Sequence, residues 1–171
     1  MTAVLVKHIM SAPVVSFFAE QTLPLAEDVM HAKHLRHLPV IDENRRLVGL
    51  VTFRDLLSAQ ISTLSGLSPE ERRARQADVR MDQIMTRDVW TVRASTLASA
   101  AGRVMLDHDL GCLPVVDQAY RLVGIVTEHD YLRFAIKALQ VNDGPVREHT
   151  SSISLAGVTL EDRFRGRRRA A

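Results

Sequence analysis

A segment of this chain is written twice, 75 positions apart, and that repeat constrains the architecture before any local pattern does. Leu38-Pro39-Val40 returns as Leu113-Pro114-Val115, Leu47-Val48-Gly49 as Leu122-Val123-Gly124, Val51-Thr52 as Val126-Thr127, and Asp55 as Asp130. Between residues 29–57 and 104–132, 15 of 29 positions are identical without a gap. What repeats best is a strand, a glycine and the start of a helix, so the repeat carries the candidate chemistry as well as the scaffold. Each copy spans only roughly 50 residues, too few for a comfortable core of its own, so the copies are expected to share an interface.

Each copy opens with a short amphipathic turn, Val6-Lys7-His8-Ile9-Met10 or Met81-Asp82-Gln83-Ile84-Met85. A brief extended piece follows, Val14-Val15-Ser16-Phe17 or Val89-Trp90-Thr91-Val92, rich in β-branched and aromatic residues. A helix is expected next, with its apolar stripe on Leu25, Val29 and Met30 in the first copy. In the second copy the stripe is Leu97, Ala101, Val104 and Met105, with Ser95 or Thr96 as cap. Two continuous apolar strands then form a hairpin around the polar turns at residues 42–45 and 117–120, and their composition predicts burial on both faces. A second helix starts at Thr52 or Thr127. Between the copies, Gly66 is placed to end a helix, and Ser68-Pro69-Glu70-Glu71 reads as a capping box opening a solvated linker helix through Arg72, Arg73 and Arg75. Asn142-Asp143-Gly144-Pro145 is a stop signal, beyond which a strand over residues 153–160 is the only further element expected.

Composition narrows the class. The 46% hydrophobic content supports a buried core, and the single cysteine, Cys112, excludes a disulfide framework and fits a reducing compartment. No apolar run nears the roughly 18 residues of a membrane span, and the first residues lack a signal-peptide pattern. A soluble, cytoplasmic protein is expected. Five arginines against Glu161 and Asp162 give residues 161–171 a net charge of +3, which leaves −1 of the formal +2 for residues 1–160. The basic character therefore belongs to a tail. That tail could contact nucleic acid or an acidic partner through charge, though it has one aromatic and no base-reading fold.

The repeated Gly-x-x-Thr-x-x-Asp places Thr52 and Asp55, and Thr127 and Asp130, on the first turn of a helix. Free N–H groups and the positive end of the helix dipole there favour a phosphate. A threonine hydroxyl can add a donor, and an ionised carboxylate, purely an acceptor, suits both hydroxyls of a ribose. The glycine lets backbone or ligand approach closely. Threonine followed three residues later by an acid is equally how a helix caps itself with no ligand. Both readings stand at this point.

Ile9-Met10-Ser11, residues 37–42 (His-Leu-Pro-Val-Ile-Asp) and residues 47–55 (Leu-Val-Gly-Leu-Val-Thr-Phe-Arg-Asp) resemble a cystathionine-β-synthase (CBS) domain, as do Ile84-Met85-Thr86, residues 112–117 and residues 122–130. The resemblance covers residues 4–62 and 79–138, with 63–78 as a linker and 139–171 as a basic, flexible extension. It implies an α/β (α+β) fold: two βαββα repeats packed with pseudo-twofold symmetry as a Bateman module, pairing into a flat homodimer. It also implies two clefts for adenosine-type ligands such as AMP, ADP, ATP or S-adenosylmethionine. Thr52 and Thr127 would meet phosphate, and Asp55 and Asp130 ribose. Adenine would lie against main chain, at Ser11 to Val15 with Leu38 and Pro39 in one cleft, and at Thr86 to Trp90 with Leu113 and Pro114 in the other. Arg54 and His129, just before the aspartates, could reach phosphates, whereas Glu128, where the first copy has Phe53, would repel a polyphosphate if it faced the cleft.

The expected protein is thus a stand-alone regulatory module, not an enzyme. No activated nucleophile or acid–base pair is visible, no cofactor is required, and its protein target is unknown. His31, His34 and His37 are spaced by three and, with His8, invite a metal reading. The span from 31 to 37, however, rotates around a helix by more than a turn and a half and His37 falls at the helix end, so no metal site is expected. Cys112 is expected to be a small buried residue, and Trp90 a core residue.

Overall fold

The computed structural model describes residues 3–139. The expected stop at residues 142–145, the strand over 153–160 and the arginine tail lie outside the described residues. After a 3-10 turn at Val6–His8, the first repeat runs β1 (Phe17–Phe18), α1 (Leu23–Lys33), β2 (His37–Ile41), β3 (Leu47–Thr52) and α2 (Phe53–Ala59). A 3-10 turn at Thr63–Ser65 and helix α3 (Pro69–Gln76) link it to α4 (Met81–Ile84). The second repeat continues with α5 (Ala98–Asp107), β4 (Cys112–Val116), β5 (Leu122–Thr127) and α6 (Glu128–Leu139). In the first sheet β1 is parallel to β2 and β2 antiparallel to β3, while β4 and β5 form an antiparallel pair that Val92 joins through a single parallel bridge to Val115.

The repeat extends below residue identity to backbone geometry. His34 and Asp109 both sit at φ 52°, and Arg45 and Tyr120 both at φ 63°, although none of these is glycine and the paired side chains differ. Both hairpins carry a register shift at the same place, Val40/Ile41 and Val115/Val116. The hairpin tips meet: Leu47 N–H donates to Tyr120 O at 3.1 Å and Leu122 N–H to Arg45 O at 3.0 Å. Ile41, Leu47, Val116 and Leu122 bury one another there, flanked by Val14 and Val89. The interface expected from repeat size is this seam.

Three local expectations, the helix stripes, the cap of α5 and burial on both strand faces, are corrected in part; Met30, Ala101 and Met105 are buried as expected. The buried stripe of α1 is Leu23, Ala26 and Met30, and that of α5 is Ala98, Ala101 and Met105, both at i, i+3 and i+7. Leu25 and Leu97 are 42% and 47% exposed. Leu97 is itself the N-cap of α5, with no side-chain cap; Thr96 Oγ1 instead accepts from Arg93 N–H at 3.1 Å. Burial on both faces holds for β2 and β4, except the partly covered His37. Strand β3 alternates buried and half-buried, and in β5 Val123 is 39% exposed while Gly124, Ile125 and Val126 are buried. The linker matches its reading: Gly66 ends the 3-10 turn at φ 74°, and Ser68 and Glu71 form the capping box of α3.

The opening segments do not pack on their own repeats. Residues 5–11 lie on the second repeat: Val6 N–H donates to Thr96 O, and Ser11 exchanges backbone bonds of 2.8 and 3.1 Å with Ile125. Residues 79–86 lie on the first: Leu23 N–H donates to Val79 O, and Thr86 exchanges two 2.9 Å bonds with Leu50. Val6 is wholly buried in the second core and Met81 in the first. Each such side chain holds its arm in place by about 2 kcal/mol. Gly49 and Gly124 are where the arms cross. A Cβ at Gly49 would stand 2.4 Å from Met85 Sδ, and one at Gly124 2.6 Å from Met10 Sδ. The close approach expected at these glycines is therefore made by a methionine of the opposite repeat's arm.

Candidate functional site

Thr52 ends β3 with extended backbone, φ −102° and ψ 163°, so it caps α2 rather than joining it. Its N–H and its hydroxyl both donate to Asp55 Oδ2 at 2.7 Å, and Asp55 N–H donates back to Thr52 Oγ1 at 3.3 Å. Thr127 and Asp130 repeat this at the start of α6, with distances of 2.8, 2.8 and 3.4 Å. Both Thr-x-x-Asp pairs are thus complete capping boxes. One expectation changes as a result. A hydroxyl has a single proton to give, and each threonine gives it to its own aspartate, so neither offers a donor to a phosphate in this arrangement.

The two carboxylates differ beyond the box. Asp130 is 4% exposed, and its Oδ1 accepts a 3.0 Å bond from the Ser11 hydroxyl, 119 residues away in sequence. Asp55 is half-buried, and among the described residues its Oδ1 accepts nothing. This placement corrects the expected grouping. Ser11 belongs with Thr127 and Asp130, and Thr86 belongs with Leu50 on the strand leading to Thr52 and Asp55, because the arms are exchanged. Ser11 and Leu38-Pro39 therefore serve different repeats.

The remaining expected site residues scatter. Leu38 and Leu113 point wholly into the two cores, with Pro39 and Pro114 buried beside them, so only their main chain can face a cleft. Even there, Pro114 O is taken by Val92 N–H at 3.1 Å. Val15 packs against the first core. Arg54 and His129 are exposed on their helices, and their side chains make no hydrogen bond among the described residues. Trp90 is not core: it is 52% exposed and stacks on His108 with ring centroids 4.4 Å apart. Cys112 is buried, and burial, with the Glu128 carboxylate adding to it, pushes its thiol up to about 12. Such a thiol is inert as a nucleophile at neutral pH.

That His37, Glu128 and Cys112 come together at the seam escaped the sequence. The ring of His37 lies against Gly111, where a Cβ would stand 2.9 Å from its Nε2, with Glu128 alongside. Burial lowers the His37 pKa, opposed by Glu128 and assisted by Arg36. Glu128 therefore sits between the repeats, near His37 and Cys112. A cavity of about 590 Å³ opens at the hairpin tips between Ala12, Pro13 and Val14 of the arm and Arg45, Arg121 and Leu122. A second, also about 590 Å³, lies between α5 and α6 and includes Glu128 and Tyr131. Ala12 to Val14 fall within the stretch expected to face adenine and the sequence singles out Glu128, but the residues that meet them across each cavity carry no local sequence signal. Among the described residues no cluster of three or more His, Cys, Asp or Glu could hold a metal, and no helix is long and apolar enough to cross a membrane.

A family model described as CBS domain matches residues 6–62 and 81–137. A CBS domain-containing protein of Dictyostelium discoideum is 33% identical over 140 residues, which is 80% of this chain and 94% of that protein. By contrast, the chain spans only 23% of a homoserine O-acetyltransferase of Methanococcoides burtonii, at 34% identity over 128 residues. Among solved structures, CBSX2 from Arabidopsis thaliana has a TM-score of 0.71 at 28% identity, covering 81% of this chain and 99% of that one. CBSX2 in complex with AMP gives 0.67 at 28%, covering 80% and 98%. The CBS domain pair of protein MJ0100, in complex with 5′-methylthioadenosine and S-adenosyl-L-methionine, gives 0.66 at 27%, covering 80% and 99%.

Proposed function

Because this chain belongs to the CBS-domain family, as a tandem pair, we propose that it binds an adenine nucleotide or adenosyl compound and passes its bound state to a protein partner, without catalysis of its own. The observation that carries this reading is the Asp55 carboxylate: one oxygen closes the capping box while the other, among the described residues, is left open to a ribose hydroxyl. The adenosyl ligands of CBSX2 and the MJ0100 pair support the choice of ligand class. Exchange of the arms supports the mechanism. A ligand seated at either carboxylate touches a strand end of one repeat and the arm of the other, so its affinity depends on how the repeats sit. Only that difference in affinity can shift the populations that a partner reads. A second copy of the chain is the expected companion. The helices present exposed apolar side chains, among them Leu57, Leu106, Leu132 and Phe134, that a helix-to-helix dimer would cover.

Calorimetric titration with AMP, ATP, S-adenosylmethionine and a cyclic dinucleotide tests the reading, beside the double variant Asp55→Ala, Asp130→Ala. Micromolar binding that disappears in the variant supports the ribose role and names the ligand. Silence from every candidate leaves the Thr-x-x-Asp pairs as helix caps only. A chain lacking residues 161–171 separates the other reading, since charge-driven binding of nucleic acid would go with the tail while nucleotide binding would persist.

A further inference from the structure

We propose that the two clefts are unequal because Ser11 acts as an internal competitor in the second: its hydroxyl occupies the Asp130 oxygen that a ligand diol would need, leaving Asp55 as the first acceptor to fill. The inference rests on the ligand class proposed above and deepens it by assigning an order of occupancy.

A carboxylate has about four lone-pair positions, two on each oxygen. Asp55 and Asp130 each spend both positions of Oδ2 on their own capping threonine. The difference lies in Oδ1. On Asp55 it keeps both positions among the described residues, on a side chain that is only half-buried. On Asp130 one position accepts Ser11 Oγ at 3.0 Å, and the side chain is enclosed at 4% exposure. A cis-diol brings two O–H donors to one carboxylate. Asp55 can receive both on its free oxygen, whereas Asp130 cannot until Ser11 turns away.

The contrast comes from one side chain on an otherwise duplicated backbone. Thr86 stands where the repeat places Ser11, and each exchanges a pair of backbone bonds with the facing strand, at 2.9 and 2.9 Å for Thr86 and at 2.8 and 3.1 Å for Ser11. Among the described residues only Ser11 reaches the aspartate. Serine rotates freely about χ1, while the extra methyl of threonine restricts it. Ser11 is itself exposed, so it can move aside without disturbing a core. A hydrogen bond to a charged group is strong enough that displacing it weakens binding on the order of ten- to a hundredfold.

The test is calorimetry on the full chain with AMP and with S-adenosylmethionine as probes, reading stoichiometry as well as affinity. Wild type is expected to show one tighter site per chain and a second weaker by about ten- to a hundredfold, or too weak to register. Ser11→Ala should bring the second site to within a few-fold of the first. Asp55→Asn should remove the tighter site alone, and Ser11→Ala with Asp55→Asn should keep one good site at Asp130. Two equal sites in wild type, a tighter site that survives Asp55→Asn, or a second site that Ser11→Ala weakens or leaves unchanged would each overturn the competitor role while leaving the nucleotide reading intact. No binding of either probe by any variant would overturn both. Because the variants carry small changes at exposed or half-buried positions, matching circular dichroism melts identify any loss due to misfolding, and Thr86→Ser, expected to weaken the first site, provides a reciprocal measurement in a separate protein.

Discussion

Replacing Gly49 with alanine tests the exchanged arms without any ligand. The new Cβ would lie 2.4 Å from Met85 Sδ, 2.8 Å from Met85 Cγ and 3.1 Å from Thr86 O. Carbon contacts relax at about 3.5–4.0 Å, so Met85 must move by more than about 1 Å. A thioether chain adapts readily, but Met85 is only 9% exposed among Phe17, Leu23, Met30 and Leu56. The Thr86 carbonyl is held by Leu50 N–H at 2.9 Å and cannot retreat as easily. Overpacking of this kind costs about 1–3 kcal/mol, and relief of glycine's unfolded-state entropy returns about 0.5–1 kcal/mol. The expected net loss is therefore about 1 kcal/mol, or roughly 3–5 °C in Tm for a folded region of this size. Gly124→Ala meets only the half-buried Met10, at 2.6 Å and beyond, and should cost less than about 1 kcal/mol because that side chain can swing out. The assay is urea unfolding followed by far-ultraviolet circular dichroism, comparing midpoints at constant slope. Met85→Ala alone should cost about 2–4 kcal/mol through the cavity it leaves. In the double variant the alanine at 49 occupies part of that cavity, so the combined loss should fall short of the sum by about 1–2 kcal/mol. Costs that add to within about 0.5 kcal/mol, or a neutral Gly49→Ala, would refute the claim that the opposite arm is what requires glycine there.

The two aspartates should also differ in stability before any ligand is added. Asp130→Ala strands Thr127 N–H, Thr127 Oγ1 and Ser11 Oγ near a buried position and should cost about 2–4 kcal/mol, against about 1 kcal/mol for the capping loss in Asp55→Ala, by the same urea assay. His37 gives the fold a pH dependence. Burial holds its pKa below the ordinary 6.5, so the unfolded chain takes up the proton first as pH falls. Stability from this group is therefore full above about pH 6.5 and is lost as pH drops toward and past the folded value; urea midpoints between pH 8 and 5 should show that slope, and His37→Gln should flatten it. With its thiol raised to about 12, Cys112 should resist iodoacetamide at pH 8 in the native protein and react once urea unfolds it; fast native labelling would contradict its burial.

The element order was legible because it depends on short-range chemistry. Continuous apolar runs, the polar turns of the hairpins, the Ser68 box and the capping threonines all act within a few residues, and each appears where the spacing puts it. In the stripes of α1 and α5, Met30, Ala101 and Met105 are buried as expected but Leu25 and Leu97 are not, since these are as apolar as the residues that are buried and only the position of the sheet decides which side faces it. Trp90 was misjudged for the same reason: a large apolar ring has several ways to be half covered, and here it found His108.

At the candidate site, the sequence alone determined that a strand, a threonine cap and an acid occur twice, at one spacing. Repetition of local interactions requires nothing more. It could not say which arm serves which acid, because Met10 and Met85 occupy equivalent places in the repeat and either pairing satisfies the local pattern equally well. Only the tertiary structure decided that Met10 crosses to Gly124 and Met85 to Gly49. With that crossing came the bond from Ser11 to Asp130, which has no counterpart between Thr86 and Asp55. The physical reason is that burial and close contact belong to the assembled pair: two sequence-equivalent carboxylates become different once one is enclosed by a serine from the far end of the chain and the other is left with an open oxygen.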